Sequence, residues 1–535
     1  MPFQFETPPA YQNGALFLGL DEAGREVGIL TERHALTIAG AGAGKGAGLI
    51  IPNLKRWPHN VLCIDPAGEN VAETWQDREA AGQQVVILDP FRAVDYSRVP
   101  ERLRGSCNLL AAIKPDSLTV REDIRVVADG LVMRYKAEDA TWDNGAVSVL
   151  AGLIAYVLAD DAFPDEKHLP AVRQLLNLPP DARTALFEAM SKMEGFGSLA
   201  KAAAVIGLSP TKKAQSFVEG AVDNTEWLDS APMADLLSAS TFSLSELKTG
   251  RCSVFLVLPP DYLVEHGRFL RLFVRAALDA MLKGGKVGRK TLFLLDEFFS
   301  LGHIDQVHKA AGLMRKNGVH LWPFLQDLGQ LTSLYGQDGA HTFFGNADAH
   351  IFFGNTDGPT LDYVSGRIGK LTRDEIREAP PANKFVPRAT EKDWKSSGYI
   401  FMDRDTYFAM VGPDDENARR EQEHLNALAR QQYDHEMKHI GTPRLTPQQV
   451  AALTGRGDGD AVARSMIVFG KKGQVHNIRL APYFEAADYI TPQEQNRRLV
   501  AASHGLYWSD GNFYRSTGFS PIRVDDEGNP ILLQL

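Results

Sequence analysis

Cysteine is scarce in this chain of 535 residues: Cys63, Cys107 and Cys252 are all there is. The count is odd and has no Cys-x-x-Cys spacing, so neither a disulfide framework nor a cysteine-held zinc is predicted. Long apolar runs are missing as well, since no tract approaches the ~18 apolar residues needed to cross a bilayer. The start, MPFQFETPPAYQNG, lacks the basic and apolar blocks of a secretory signal. Together these absences predict a chain that stays in a reducing cytoplasm. Net positive charge is lacking too. With 57 Lys and Arg against 67 Asp and Glu, the balance is −10, which argues against a surface that coats nucleic acid indiscriminately. A ring with a basic lumen and an acidic exterior is compatible with that total. Internal repeats and low-complexity tracts are absent.

What is there is an ordinary folded composition, 44% hydrophobic and 23% charged, in a chain long enough for roughly three domains. Short apolar, β-rich runs recur at Leu36–Ala39, Val61–Asp65, Val85–Leu88, Val254–Leu258, Leu292–Asp296, His320–Leu325 and His350–Phe353. Most are too uniformly apolar for a one-sided sheet, so they read as central parallel strands alternating with helices, an α/β fold. Between Leu88 and Val254 the strand pattern lapses and helix-period stretches take over at Ile124–Lys136, Asn144–Ala159 and Ala185–Met193, predicting an inserted all-α domain. After Gly369 the composition shifts through Ala379-Pro380-Pro381-Ala382 to a charged helix from Asp414 to His439. From Leu445 a small module follows, with a helix near Pro447–Leu453 and two strands around Met466–Phe469 and His476–Leu480.

The sharpest local signal is the run from Leu36 to Gly48, a strand that enters the turn Gly40, Ala41, Gly42, Ala43, Gly44, Lys45, Gly46, Ala47 and continues as a helix. Glycines let successive backbone N–H groups face a polyphosphate, the helix adds its positive end, and Lys45 supplies a mobile cation. The chemistry is that of nucleotide binding. Two departures from G-x-x-x-x-G-K-[S/T] stand out: Ala39 occupies the place of the first glycine, and Gly46 replaces the hydroxyl residue that holds magnesium. The alternative is a flexible Gly/Ala loop with no ligand.

A matching partner lies at Thr291–Glu297, an apolar strand ending in two carboxylates. Charge at the carboxyl edge of a buried strand sits where open α/β sheets bind ligands. There Asp296 would orient magnesium and Glu297 would polarise the water that attacks a γ-phosphate. Downstream, Gln326 ends a further strand and could face a phosphate. Arg315 lies on the preceding helix, too far along it to reach its own nucleotide easily. For Arg315 a contact across a subunit boundary and a solvated helix residue are both open. Two other patterns are discounted. His435-Glu436-Met437-Lys438-His439 fits H-E-x-x-H literally, but Lys438 puts a cation beside the metal and no third ligand is recognisable. Arg121, Arg125, Arg134, Lys136 and Lys212-Lys213 are diluted by Glu122, Asp123, Glu138 and Asp139, and read better as solvated helix faces than as phosphate contacts.

In combination, AGAGAGKGAGLIIPNL, VLCIDPAGEN, STFSLSELKTGRCSVFLVLPPDYL, LFLLDEFFSLGHI, LQDLGQL and FFGNTDGPTLDYVSGRIGK resemble, in order and spacing, the TraG/TraD-type coupling proteins of conjugative type IV secretion systems. The resemblance covers most of the chain. It implies a RecA-like P-loop NTPase interrupted by an all-α domain: motor domain over 1–110 and 246–370, inserted domain over 111–245, charged helical linker over 371–444 and small C-terminal α+β module over 445–535. It implies an ATPase using ATP and Mg2+ that brings relaxase-bound single-stranded DNA to a secretion channel, acting as a homo-hexamer. Carried over by position, Lys45 is the phosphate-loop lysine, Asp296 and Glu297 the strand-end acids, Gln326 the γ-phosphate sensor and Arg315 an arginine acting in trans. Trp142 and Asp143 match the start of the inserted domain, where cargo would dock.

This chain departs from that pattern in three places. The family usually carries two membrane helices before the phosphate loop, whereas here the loop arrives within about 45 residues with none. The resemblance then implies a cytoplasmic protein, or one held peripherally at the inner membrane by a partner subunit. Ala67 stands where a lysine is frequent, and Gly46 recurs in some members. The segment from Lys370 to Arg444 and the tail beyond Ala486 match nothing. Two other functions are kept in view: a duplex-DNA translocase of the FtsK/HerA type, and an ATP-switched adaptor that recruits protein cargo without moving it.

Overall fold

The structure is a computed structural model that describes residues 4–134, 140–159, 167–194, 197–283, 289–304, 307, 314, 316–372, 438, 440–457, 460, 462–485, 506–509, 512–516 and 521–524. The chain divides into a larger compact unit, residues 6–356 with 453–535, and a smaller one, residues 1–5 with 357–452.

The larger unit is built on one eleven-stranded sheet. Its strands in chain order are β1 (Leu16–Leu20), β2 (Glu26–Ile29), β3 (His34–Ala39), β4 (Asn60–Asp65), β5 (Gln84–Leu88), β6 (Cys252–Val257), β7 (Thr291–Leu295), β8 (Val319–Leu325), β9 (Ala347–Phe353), β10 (Ser465–Phe469) and β11 (Val475–Arg479). In space the order is β2-β1-β11-β10-β9-β3-β8-β7-β4-β6-β5. From β9 to β5 the strands run parallel, and from β9 through β10, β11 and β1 to β2 each pairing is antiparallel. Strands β3, β4, β6, β7 and β8 are buried at every residue. Their sequences are largely apolar for that reason, with no alternating polar face.

The seven strands read from the sequence are all present, and the α/β RecA-like fold holds. The segment expected as a small C-terminal module contributes differently: its two strands, β10 and β11, hydrogen-bond between β9 and β1 and complete the main sheet. A three-stranded antiparallel sheet, Leu506–Ser509, Asn512–Ser516 and Pro521–Val524, lies in the tail. Apart from Lys438, the segment expected as a helix from Asp414 to His439, with His435, Glu436 and His439 of the H-E-x-x-H pattern, lies outside the described residues.

Two short motifs fix the first crossovers. Asn53, buried in helix α1 (Ile51–Arg56), accepts from the Phe17 N–H at 2.8 Å. It also donates to the carbonyls of Phe17 and Leu49, both at 2.8 Å, and so sews the helix after the phosphate loop to strand β1. Asp65 ends β4 and accepts from the backbone N–H groups of Asn70 (3.2 Å) and Val71 (2.8 Å) in the first turn of α2 (Glu69–Ala80). Between them Gly68 takes a left-handed conformation with φ of 71°, and a Cβ there would meet Val94 Cγ2 at 2.9 Å. Both the turn and the packing therefore demand glycine.

The insertion between β5 and β6 is helical: α3 (Val120–Leu131), α4 (Ala140–Ala159), α5 (Leu169–Leu176), α6 (Pro180–Ser191), α7 (Gly197–Gly207), α8 (Lys212–Thr225) and α9 (Ala231–Ser238). Helix α4 is its centre and packs on α3, α5, α7 and α8. Contrary to the expectation that no tract is long and apolar enough to span a bilayer, its segment Thr141–Ala159 is so by composition, and about two thirds of that window is buried within the molecule. A central helix of a bundle is apolar nearly all round, which gives it that hydropathy. Arg173 of α5 ties the domain together by three hydrogen bonds to the Asp229 carboxylate at 2.6 to 3.0 Å.

In the smaller unit, helix Gly358–Ile368 is capped by the Asp357 carboxylate on the Thr360 N–H at 2.9 Å.

Removing the Asn53 carboxamide leaves two backbone groups of buried β1 without partners, at about 1–3 kcal/mol each. Asn53→Ala is expected to lower stability by about 2–4 kcal/mol, measured as a drop in the thermal unfolding midpoint, whereas Lys55→Ala on the same helix should change it little.

Candidate nucleotide site

The sheet order brings the carboxyl ends of β3, β8, β7 and β4 side by side on one edge. Strand β3 delivers the glycine loop, β8 ends at Gln326, β7 ends at Asp296-Glu297 and β4 ends at Asp65. Neighbouring strands lie about 4.8 Å apart, so these groups share one row. Lys45, Asp296, Glu297 and Gln326 thus come to the same edge of the same sheet. Arg315 lies outside the described residues.

The loop is shaped by close backbone approach. The Gly40 N–H donates to the Phe353 carbonyl at 3.1 Å, and a Cβ on Gly40 would fall 1.9 Å from the Gly354 carbonyl oxygen. Any larger residue would push the loop off the end of β9. Gly42 and Gly44 have φ of 66° and 95°, the left-handed region open to glycine. Ala39 is a buried residue of β3 and takes no part in the turn, which is why glycine is dispensable there. Ala41 and Gly42 are exposed, Gly40 and Lys45 to Ala47 half-buried. From Gly46 to Ile50 the chain forms one π turn before α1 begins, a winding that recurs at functional sites.

The acids are held under constraint. Burial pushes the Asp296 carboxyl up to about 6, the neighbouring Lys45 cation pulls it down, and Glu297 pushes it up. Lys45 and Asp296 are therefore near enough to feel each other. Asp296 Oδ1 accepts from the Glu297 N–H at 3.1 Å. Glu297 has φ of 51°, and with Arg92 it makes up the pair of non-glycine residues at positive φ among the described residues. Left-handed backbone in an L-residue costs roughly 1–2 kcal/mol, and such strain gathers at working sites. Here the turn Phe298–Leu301 depends on it, the Glu297 carbonyl accepting from Ser300 N (2.9 Å) and Ser300 Oγ (2.8 Å). Gln326 is half-buried, its N–H donating to Gln330 Oε1 (2.9 Å) and its carbonyl accepting from Asn355 Nδ2 (3.1 Å). At Asp65 burial dominates the two backbone N–H groups and pushes the carboxyl up to about 7, with Asp296 and Glu69 adding to the rise.

A segment distant in sequence, around Arg456 to Ala463, packs against the loop. The Ala463 N–H donates to the Ala43 carbonyl at 2.9 Å, and Arg456 reaches the Gly42 carbonyl at 3.4 Å. A Cβ on Gly44 would lie 2.4 Å from Val462 Cγ1, and one on Gly48 2.6 Å from Leu480 Cδ2. Glycines at 42 and 48, more than G-x-x-x-x-G-K requires, were the available signal of a close neighbour.

A buried strand, a glycine loop under tight backbone contact, a lysine at the head of a helix and hard carboxylate oxygens at the end of a nearby strand define a P-loop nucleotide-binding protein of RecA-like architecture. The donor set, carboxylate oxygens beside a phosphate-type loop, suits a nucleotide with magnesium.

The chain belongs to the family described as type IV secretory system conjugative DNA transfer, whose model matches residues 4–380. It is 28% identical over 359 residues to the conjugal transfer protein TraG of Rhizobium radiobacter, covering 64% of this chain and 53% of that protein. It is 27% identical over 351 residues to the type IV secretion system-coupling protein VirD4 of Bartonella quintana, covering 63% and 53%. The chain thus spans about half the length of these curated relatives. Among solved structures it resembles the bacterial conjugative coupling protein TrwBdeltaN70 with a TM-score of 0.57 at 15% identity, over 87% of this chain and 88% of that one. It also resembles TrwB in complex with ADP and Mg2+, TM-score 0.57 at 14% identity over 88% and 91%. At such identity the likeness establishes the fold.

Two outcomes follow from the strained and buried acids. Asp65 has a folded-state pKa near 7 against about 4 unfolded, so its contribution to stability is complete below pH 4 and is lost as pH rises through 7. The unfolding midpoint of the parent should fall between pH 5.5 and pH 8 by more than that of Asp65→Asn, which keeps an acceptor for the N–H groups but does not titrate. Glu297→Gly relieves the left-handed strain and should raise stability by about 1 kcal/mol in the same thermal measurement.

Proposed function

We propose that the chain is an ATP-hydrolysing coupling protein that engages single-stranded DNA with its relaxase-type cargo and passes it to a type IV secretion channel, working as a homo-hexamer with a site at each subunit boundary. The observation that carries this reading is the row Lys45, Gln326, Asp296-Glu297 on adjacent strand ends β3, β8 and β7. Family membership supports the conjugative setting, and the TrwB complex with ADP and Mg2+ supports the choice of ligand.

Magnesium, when bound, supplies charge that neutralises the β- and γ-phosphate oxygens. The backbone N–H groups of Ala41, Gly42 and Gly44 to Ala47 would face the phosphates, those of Gly40 and Ala43 being taken by the Phe353 and Gly40 carbonyls, and Lys45 adds the cation. Asp296, ionised above about pH 6, holds the metal or its water. Glu297, at the tip of its strained turn, orients the attacking water and accepts its proton. Gln326 senses the γ-phosphate, and Arg315 of an adjacent subunit completes the charge balance as the phosphoryl group transfers.

In the inserted domain the exposed Trp142 packs edge-on against Phe217 with centroids 5.7 Å apart, and Lys213 lies over the same ring at 5.8 Å. This combination of aromatic faces and cation suits first contact with DNA or protein cargo. Of the other basic residues there, Arg134 is committed to Asp129 at 2.6 Å, Arg121 and Arg125 are exposed, and Lys136 lies outside the described residues.

ATP turnover should be stimulated by single-stranded DNA in the parent and fall by about 100-fold or more in Lys45→Ala and Glu297→Gln. Mixing Arg315→Ala with Glu297→Gln subunits should recover part of the rate. Equal background rates in all proteins would contradict the motor reading. Preference for duplex DNA would favour a double-strand translocase, and nucleotide-dependent cargo binding without DNA-stimulated turnover an adaptor.

A further inference from the structure

We infer that Asn70 supplies the neutral oxygen that the phosphate loop lacks at Gly46, holding magnesium or one of its waters from the neighbouring helix α2. The inference rests on the magnesium-nucleotide reading of the site and deepens it.

The position after the loop lysine is a glycine, so the loop itself brings no side-chain oxygen to the metal. A Cβ placed on Gly46 would have one neighbour within 4 Å outside its own turn and chain neighbours, among the described residues: Asn70 Oδ1, at 3.8 Å. The carboxamide oxygen thus lies beside the space where a serine or threonine hydroxyl would project. Asn70 is 5% exposed, and its backbone is held on both sides. Its N–H donates to Asp65 Oδ1 at 3.2 Å, and its carbonyl accepts from Thr74 Oγ1 at 2.6 Å.

The orientation of the amide follows from its other contact. Asn70 Nδ2 lies 4.0 Å from Cys63 Sγ, and the Cys63 thiol donates to the Ile64 carbonyl at 3.3 Å. The sulfur is thereby left to accept from the amide nitrogen, which turns Oδ1 toward the loop. The metal side of the site is close by: β4 pairs with β7, Cys63 standing opposite Leu294, two residues before Asp296. A carboxamide oxygen is a hard, uncharged donor, as a hydroxyl is, and belongs to the ligand class that magnesium takes. Exchanging Ser/Thr in the loop for Asn on the adjacent helix keeps both the ligand chemistry and the net charge of the site.

The experiment uses Mn2+ as the spin-active probe, with ADP and a fluorescent ADP analogue, on the parent, Asn70→Ala, Asn70→Asp, Gly46→Ser and the double variant Asn70→Ala/Gly46→Ser. A serine at 46 meets Asn70 at ordinary contact distance, so the fold accommodates it. Asn70→Ala should weaken nucleotide-dependent Mn2+ binding by about 10-fold or more, while affinity for the analogue in EDTA stays as in the parent and the variant remains folded at the assay temperature. Asn70→Asp, which keeps an oxygen there, should retain the metal, and Gly46→Ser should restore it in the Asn70→Ala background.

Unchanged Mn2+ affinity in Asn70→Ala, or a folded double variant that recovers none of it, would overturn the inference. A parent that binds the analogue neither with nor without metal would instead refute the nucleotide reading, and this inference with it.

Discussion

A parallel strand buried on both faces cannot carry charge until it ends, and the site follows from that constraint. Strands β3, β4, β7 and β8 are largely apolar and enclosed along their length, and the acids of β4 and β7, Asp65 and Asp296-Glu297, stand at the carboxyl edge. The interdigitated order β3-β8-β7-β4 then sets a lysine, a glutamine, an acid pair and a capping aspartate in one row. Gly40 makes the row usable. Its contact with the Gly354 carbonyl keeps the loop flush with the end of β9.

The same edge stores the cost of function. Asp65 and Asp296 are held where burial disfavours their charge, and Glu297 sits in a backbone conformation that glycine would adopt freely. A cation and polyphosphate between them would supply the charge that the sheet withholds. Stability given up in the site is what leaves it disposed to accept a ligand.

Much of this was legible in the sequence, and for a physical reason. Parallel strands such as Val61–Asp65 and Leu292–Asp296 are continuous apolar runs, and the phosphate loop is a local motif whose glycines answer to local geometry. The first strands, β1 and β2, escaped notice because they are short and half of their identity lies in pairing with each other and with β11. The hairpin of β10 and β11 was recognised, but its insertion between β9 and β1 joins residues more than a hundred positions apart and leaves no local trace. Asn70, Arg456 and Val462 escaped likewise: they meet the loop through tertiary packing alone. Nothing in Asp65-Pro66-Ala67-Gly68-Glu69-Asn70 announces that its last residue faces Gly46.

The central claim is that the lysine after the glycine turn and the acid at the end of β7 act on one magnesium-bound triphosphate. The most direct measurement is a double-mutant cycle on the affinity for a non-hydrolysable ATP analogue with Mg2+, using Lys45→Ala, Asp296→Asn and the two together. The account predicts strong non-additivity, a coupling above about 1 kcal/mol, because each side chain acts through the same ligand. Effects that add within about 0.5 kcal/mol would mean that the two groups serve separate sites, and would contradict it.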